Sequence, residues 1–84
     1  MSSKREYLEY IIARRRSEEK IKELLKNPGA WRRKYVVVCN GEIIGFYDEL
    51  EKARSIAKNT IAKQCIIVEK NKGIREEKVE LSIE

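Results

Sequence analysis

The chain has 84 residues, 42% hydrophobic and 39% charged, with a formal net charge of +5. Such a chain makes one domain with a thin core, since it buries only about 60–65% of the surface its unfolded form exposes, and its composition excludes a disordered polypeptide. No apolar run approaches the roughly 20 residues needed to cross a membrane, and "MSSKREYLEY" has no continuous apolar core after its charges, so no signal peptide and a cytoplasmic location are expected.

Lys, Arg and Glu supply nearly all the charge. There is a single Asp, no His, and one Gln, Gln64. That balance resembles hyperthermophile usage, and an archaeal origin would fit it. The charge is unevenly spread. Residues 1–34 carry eleven Lys/Arg against five Glu (11 − 5 = +6), and residues 35–84 carry eight against nine acids (8 − 9 = −1). The basic character therefore belongs to the N-terminal third.

In chain order, Ser3 and Glu6 form a capping-box pattern that starts a helix. Tyr7, Leu8, Ile11 and Ile12 share one side of it, and Ile21, Leu24 and Leu25 resume later. Between them "ARRRSEEK" offers no large apolar residue, so the helix is either long with a solvated waist or broken near Ser17. "NPG" at 27–29 ends it.

Two runs of β-formers then flank Asn40-Gly41, the signature of a two-residue hairpin. That turn pairs Cys39 with Glu42, Val38 with Ile43, Val37 with Ile44, Val36 with Gly45 and Tyr35 with Phe46. Asp48, with Glu51 three residues on, starts an amphipathic helix over 48–63 carrying Leu50, Ala53, Ile56, Ala57 and Ile61. "CIIVE" at 65–69 is a strand and "NKG" at 71–73 a turn. Val79, Leu81 and Ile83 alternate with polar residues in a last strand.

The expected fold is α+β, in the order α-β-β-α-β-β. An antiparallel sheet of about four strands (order 2-1-3-4) carries one amphipathic helix, and residues 1–29 form a basic helical segment ahead of a 30–84 core. Cys39 and Cys65 then fall at the same end of adjacent strands. They are either a disulfide closing a loop of about 27 residues, contributing roughly 3 kcal/mol, or two buried thiols. The thiol reading is favoured, because facing strand positions do not always allow the Cβ geometry of a bridge.

Both hairpin faces are apolar. If the 48–63 helix covers Val36, Val38 and Ile43, then Tyr35, Val37, Ile44, Phe46 and Ile67 need a second layer. The N-terminal helix folding back would supply it, as would a second copy, and a homodimer through that face is the expectation.

Catalysis is not expected. Without His, and with its one Asp used as a helix start, the chain shows no acid–base pair, and two thiols do not complete a metal site. No cofactor is implied. Glu42 and Glu69 read as solubilising charges at strand ends.

The feature with a functional lean is the basic cluster. Arg14, Arg15 and Arg16 are consecutive, and Arg32, Arg33 and Lys34 follow Trp31. If the triplets converge, guanidinium forks meet phosphate oxygens and the indole stacks on an unpaired base. The plainer reading is a solvated helix face in which Glu18 and Glu19 neutralise the arginines. From the cluster comes the expectation of a small non-enzymatic DNA- or RNA-binding or regulatory protein. The alternative is an assembly module acting through the apolar sheet face and N-terminal helix.

From Lys34 to about Glu69, "KYVVVCNGEIIGFYDELEKA" followed by "CIIVE" resembles a family of small uncharacterised prokaryotic domains, frequent in archaea. The shared features are a K-Y/W-V strand, an Asp/Asn-Gly turn, Glu with two aliphatics, an Asp-started helix and an I/V-rich strand. The resemblance implies the β-β-α-β unit and carries no activity or catalytic residues with it.

Overall fold

A computed structural model describes residues 2–62 and 64–79, with side chains from Tyr7 onward. Helix α1 (Ser2–Lys26) is followed by a 3-10 turn (Pro28–Ala30), strands β1 (Tyr35–Cys39) and β2 (Glu42–Tyr47), helix α2 (Leu50–Asn59), and strands β3 (Gln64–Glu69) and β4 (Gly73–Val79). The four strands form one antiparallel sheet in the order β2-β1-β3-β4, as the sequence pattern implies. Among the described residues no helix is long and apolar enough to cross a membrane. The Ser3/Glu6 capping pattern and the Leu81/Ile83 alternation lie outside the residues whose side chains are described.

The sheet is a filling between two helices. On one face Tyr35, Val37, Cys39, Cys65 and Ile67 pack beneath Ala53 and Ala57 of α2. On the other, Val36, Val38, Ile66 and Val68 pack against Ile21 and Leu24 of α1, with Trp31. Every residue of β1 and β3 is buried, and both read as continuous apolar runs apart from Gln64 and Glu69 at the ends of β3. Each fully buried Val or Ile here contributes on the order of 1.5–3 kcal/mol. The two small alanines let α2 sit close on its face.

Three expectations need correction. Helix α2 covers the Tyr35/Val37/Cys39 face, not the Val36/Val38 face, and α1 folds back over the latter. Asp48 does not cap α2, whose N-cap is Glu49 without a side-chain hydrogen bond; Asp48 pairs instead with Arg33. The last strand begins at Gly73, directly after the turn, so "REEK" lies in β4.

The hairpin bends where expected, with φ of 51° at Asn40 and 85° at Gly41. Cys39 faces Glu42 and Val38 faces Ile43, but Ile44 is then an extra residue, so Val37 faces Gly45, Val36 faces Phe46 and Tyr35 faces Tyr47. The bulge swaps the aromatic residues between faces. Phe46 meets Trp31 on the α1 side, ring centroids 6.0 Å apart, and Tyr47 joins the α2-side cluster. Gly45 accommodates this, because a Cβ there would lie 2.6 Å from the Tyr47 hydroxyl. The face proposed for a dimer is thereby dismantled: Tyr35, Val37 and Ile67 lie under α2, Phe46 is on the opposite side, and Ile44 is exposed at the edge.

The polar stretch in α1 does not break it, and the helix runs unbroken for 25 residues. Ser17 is fully buried there. Its hydroxyl donates to Gln64 Oε1 (2.9 Å) and accepts the Gly41 N–H (2.8 Å). A small residue lets the helix cross the hairpin tip closely: a Cβ at position 41 would fall 2.6 Å from Arg16 Cβ.

Asn40 N–H donates to the Gln64 carbonyl (3.1 Å), so the next pair inward, Cys39 and Cys65, is a non-hydrogen-bonded pair, where facing side chains are closest. The two cysteines are joined by a disulfide, with Cα atoms 4.1 Å apart. The bridge replaces the expected pair of buried thiols.

Candidate nucleic-acid interface

Antiparallel pairing of β1 with β3 brings the start of one against the end of the other. Tyr35 faces Glu69, and the Lys70 N–H donates to the Lys34 carbonyl (2.8 Å). The chain then turns through Asn71, at φ 66°, and returns from Gly73, at φ 97°, the left-handed conformations that Asn and Gly tolerate. This end of the sheet thus collects residues 32–34 and the β3–β4 turn.

Glu69 sits at its centre. It is only 4% exposed, and three cations surround its carboxylate: Lys34 Nζ at 3.8 Å, Lys72 Nζ at 3.9 Å and Arg75 at 3.8 Å. The reading of Glu69 as a solubilising surface charge is therefore corrected. A carboxylate removed from water needs such company, since an unpaired buried charge is costly. Lys34 Nζ also stands 5.6 Å from the centroid of the Tyr35 ring. Each of the three cations keeps more than half its side-chain surface in solvent. Three positive charges on one carboxylate leave two in excess (3 − 1 = 2), with Lys70 and Arg32 adjacent in the chain.

The two basic triplets do not converge. Arg16 lies against Gly41, beyond the C-terminal end of β1, whereas Lys34 precedes its N-terminal end. Seven residues of mostly extended chain separate them, roughly 20 Å. Arg14 is engaged within the fold, with Glu18 (2.9 Å), Glu77 (3.0 Å) and the Tyr10 hydroxyl (3.1 Å) as partners. Those contacts, the Tyr10 hydrogen bond foremost, raise its pKa further above the ordinary arginine value. Arg33 pairs with Asp48. Arg15, Arg16 and Arg32 are exposed, and no ion pair among the described residues engages them.

Trp31 is 4% exposed. Its indole N–H donates to the Leu24 carbonyl (2.8 Å), and its ring lies edge-on to Phe46. It is a core residue and offers no face to a base, which removes the stacking role expected of it.

On the opposite face a half-open groove of about 330 Å³ separates α2 from β4, floored by Ala57, Cys65 and Ile67. Arg54 pairs with Glu76, and Lys78 Nζ donates to the carbonyl oxygens of Ala57 (3.0 Å) and Lys58 (3.3 Å) at the end of α2.

Lys70, Lys72 and Arg75 were not among the residues singled out from the sequence. The signal existed: "KNKGIR" is basic, and the order 2-1-3-4 places that turn beside the start of β1. No family model, curated protein or solved structure matches this chain.

Proposed function

We propose that the chain is a small, non-enzymatic nucleic-acid-binding protein whose contact surface is the sheet end formed by Lys34, Lys72 and Arg75. The observation that carries this reading is the sharing of one buried carboxylate by three exposed cations. Glu69 holds the three in place while cancelling only part of their charge, so phosphate oxygens find an oriented, electropositive surface. Arg32 and Lys70 extend it along the chain. With Trp31 buried, contact is through backbone charge, with counterion release as the driving force and little sequence preference.

Titration of labelled DNA and RNA at low and high salt tests this. The expected result is binding at low salt that weakens steeply as salt rises, each phosphate contact adding about 0.9 to the logarithmic slope on duplex DNA and about 0.7 on single strands. Reversal of Lys34, Lys72 and Arg75 to Glu abolishes it, whereas Arg54→Ala, on the far groove, leaves it unchanged. Absence of binding at low salt, or binding indifferent to the triple reversal, overturns the proposal.

A further inference from the structure

A bulge in β4 turns Arg75 toward the end of the sheet. Glu76 faces Ile67 and Ile74 faces Val68, so Arg75 is the extra residue between them, the kind of irregularity that re-aims a side chain. Its guanidinium reaches the carboxylate of Glu69, as do Lys34 from the start of β1 and Lys72 from the β3–β4 turn. Backbone hydrogen bonds fix both lysine positions. The Lys70 N–H donates to the Lys34 carbonyl (2.8 Å), and the Lys72 N–H to the Glu69 carbonyl (3.0 Å). Three separate elements thus bring three cations to one point.

Lys34 and Lys72 approach the same oxygen, Glu69 Oε2, at 3.8 and 3.9 Å, so their ammonium groups are at most 7.7 Å apart (3.8 + 3.9 = 7.7). Arg75 joins them at 3.8 Å from Oε1. Charges laid out for a run of internal phosphates would follow a line, whereas these surround a centre. All three distances also exceed hydrogen-bond length, so the N–H donors are not spent on Glu69 and can serve a second anion. Of the neighbouring acids, Asp48 pairs with Arg33 and Glu76 chiefly with Arg54.

We infer that this cluster seats a terminal phosphate monoester, the phosphorylated end of a nucleic-acid strand, an inference that rests on the nucleic-acid reading above. A monoester offers three acceptor oxygens and a charge of about −1.5 to −2 near neutral pH. That matches three donor groups and the two positive charges left in excess by Glu69. An internal diester has two free oxygens and a single charge, so one cation would go unmatched. Arg32 and Lys70, next to the cluster in the chain, meet internal phosphates of the strand that follows, which distinguishes a strand end from free phosphate.

Binding of three labelled strands of one sequence, ending in a 5′-phosphate, a 3′-phosphate or hydroxyls only, tests this on the full, disulfide-bonded chain. At least one phosphorylated strand is expected to bind roughly tenfold tighter than the hydroxyl strand, and inorganic phosphate to displace it only at far higher concentration. Lys72→Gln and Arg75→Gln each bring that ratio toward one, whereas Arg32→Gln weakens all three strands alike. Both residues are exposed, and each ratio compares strands on one protein, so a folding defect would weaken all three together. Equal affinity for the three strands with salt dependence intact, or a ratio unmoved by Lys72→Gln and Arg75→Gln, overturns the inference and leaves the nucleic-acid reading standing. No binding of any strand at low salt overturns both. Displacement by inorganic phosphate at the strand's own concentration replaces the strand end with a free-phosphate site.

Discussion

The Ser17 hydroxyl accepts the Gly41 N–H and donates to Gln64, joining the middle of α1 to the hairpin tip and to the first residue of β3. The residue is fully buried, as is Gln64, whose amide nitrogen reaches Glu77 at 3.4 Å. Ser17→Ala leaves the Gly41 N–H and the side-chain Oε1 of Gln64 short of a partner. The expected cost is about 1–3 kcal/mol in urea denaturation. A larger side chain at position 17, such as Leu, lifts the helix off the turn and costs more.

Gly41 and Gly73 separate two reasons for a glycine. Both have positive φ, 85° and 97°, but a Cβ at 41 strikes Arg16 whereas one at 73 meets nothing within 4 Å. Gly73→Ala is expected to cost about 1 kcal/mol, from backbone strain alone. Gly41→Ala costs distinctly more, because α1 must also move. Equal effects of the two substitutions on the denaturation midpoint would contradict this account of the helix crossing.

The disulfide closes a loop with a sequence separation of 26. Reduction, or Cys39→Ala with Cys65→Ala, is expected to lower stability by roughly 3 kcal/mol. Paired denaturation curves with and without reductant measure it. Because both sulfurs are buried between β1 and β3, the double alanine variant also carries a packing loss that simple reduction does not.

Glu76 on β4 accepts a hydrogen bond from Arg54 Nε (2.8 Å), and this holds its pKa below the ordinary 4.5. A depressed folded-state value means the contact stabilises the protein above the unfolded pKa and is lost as pH falls through the folded one. Stability should therefore decline on acidification below about 4.5, and Arg54→Met should remove part of that decline while changing little at neutral pH. Both groups face solvent, so the effect is small. Denaturation midpoints of the two proteins across the acid range decide it.

Much of this architecture could be read from local patterns. Asn40-Gly41 fixed the bend and the first two cross-strand pairs, and strand order followed from the antiparallel return of β3. The bulge at Ile44 could not be read, because it serves a distant partner. Phe46 is drawn to the face where Trp31 lies, and neither residue's neighbours in sequence announce that contact. The same limit explains the basic triplets. Consecutive arginines say nothing about which end of a strand they occupy, and Arg14 found Glu77 across 63 positions of chain (77 − 14 = 63). Trp31 looked like a stacking surface because an indole beside arginines is ambiguous until its burial is known. Glu69 gave no sign of burial, since a carboxylate at a strand end is ordinarily wet.

The bond between Cys39 and Cys65 encloses β2 and α2 within its loop, while α1 and β4 lie outside it. A single protease nick within α2 would therefore yield two halves that migrate as one species on a non-reducing gel and part only when a thiol is added. The polypeptide can be cut in two there and still keep its middle strands side by side.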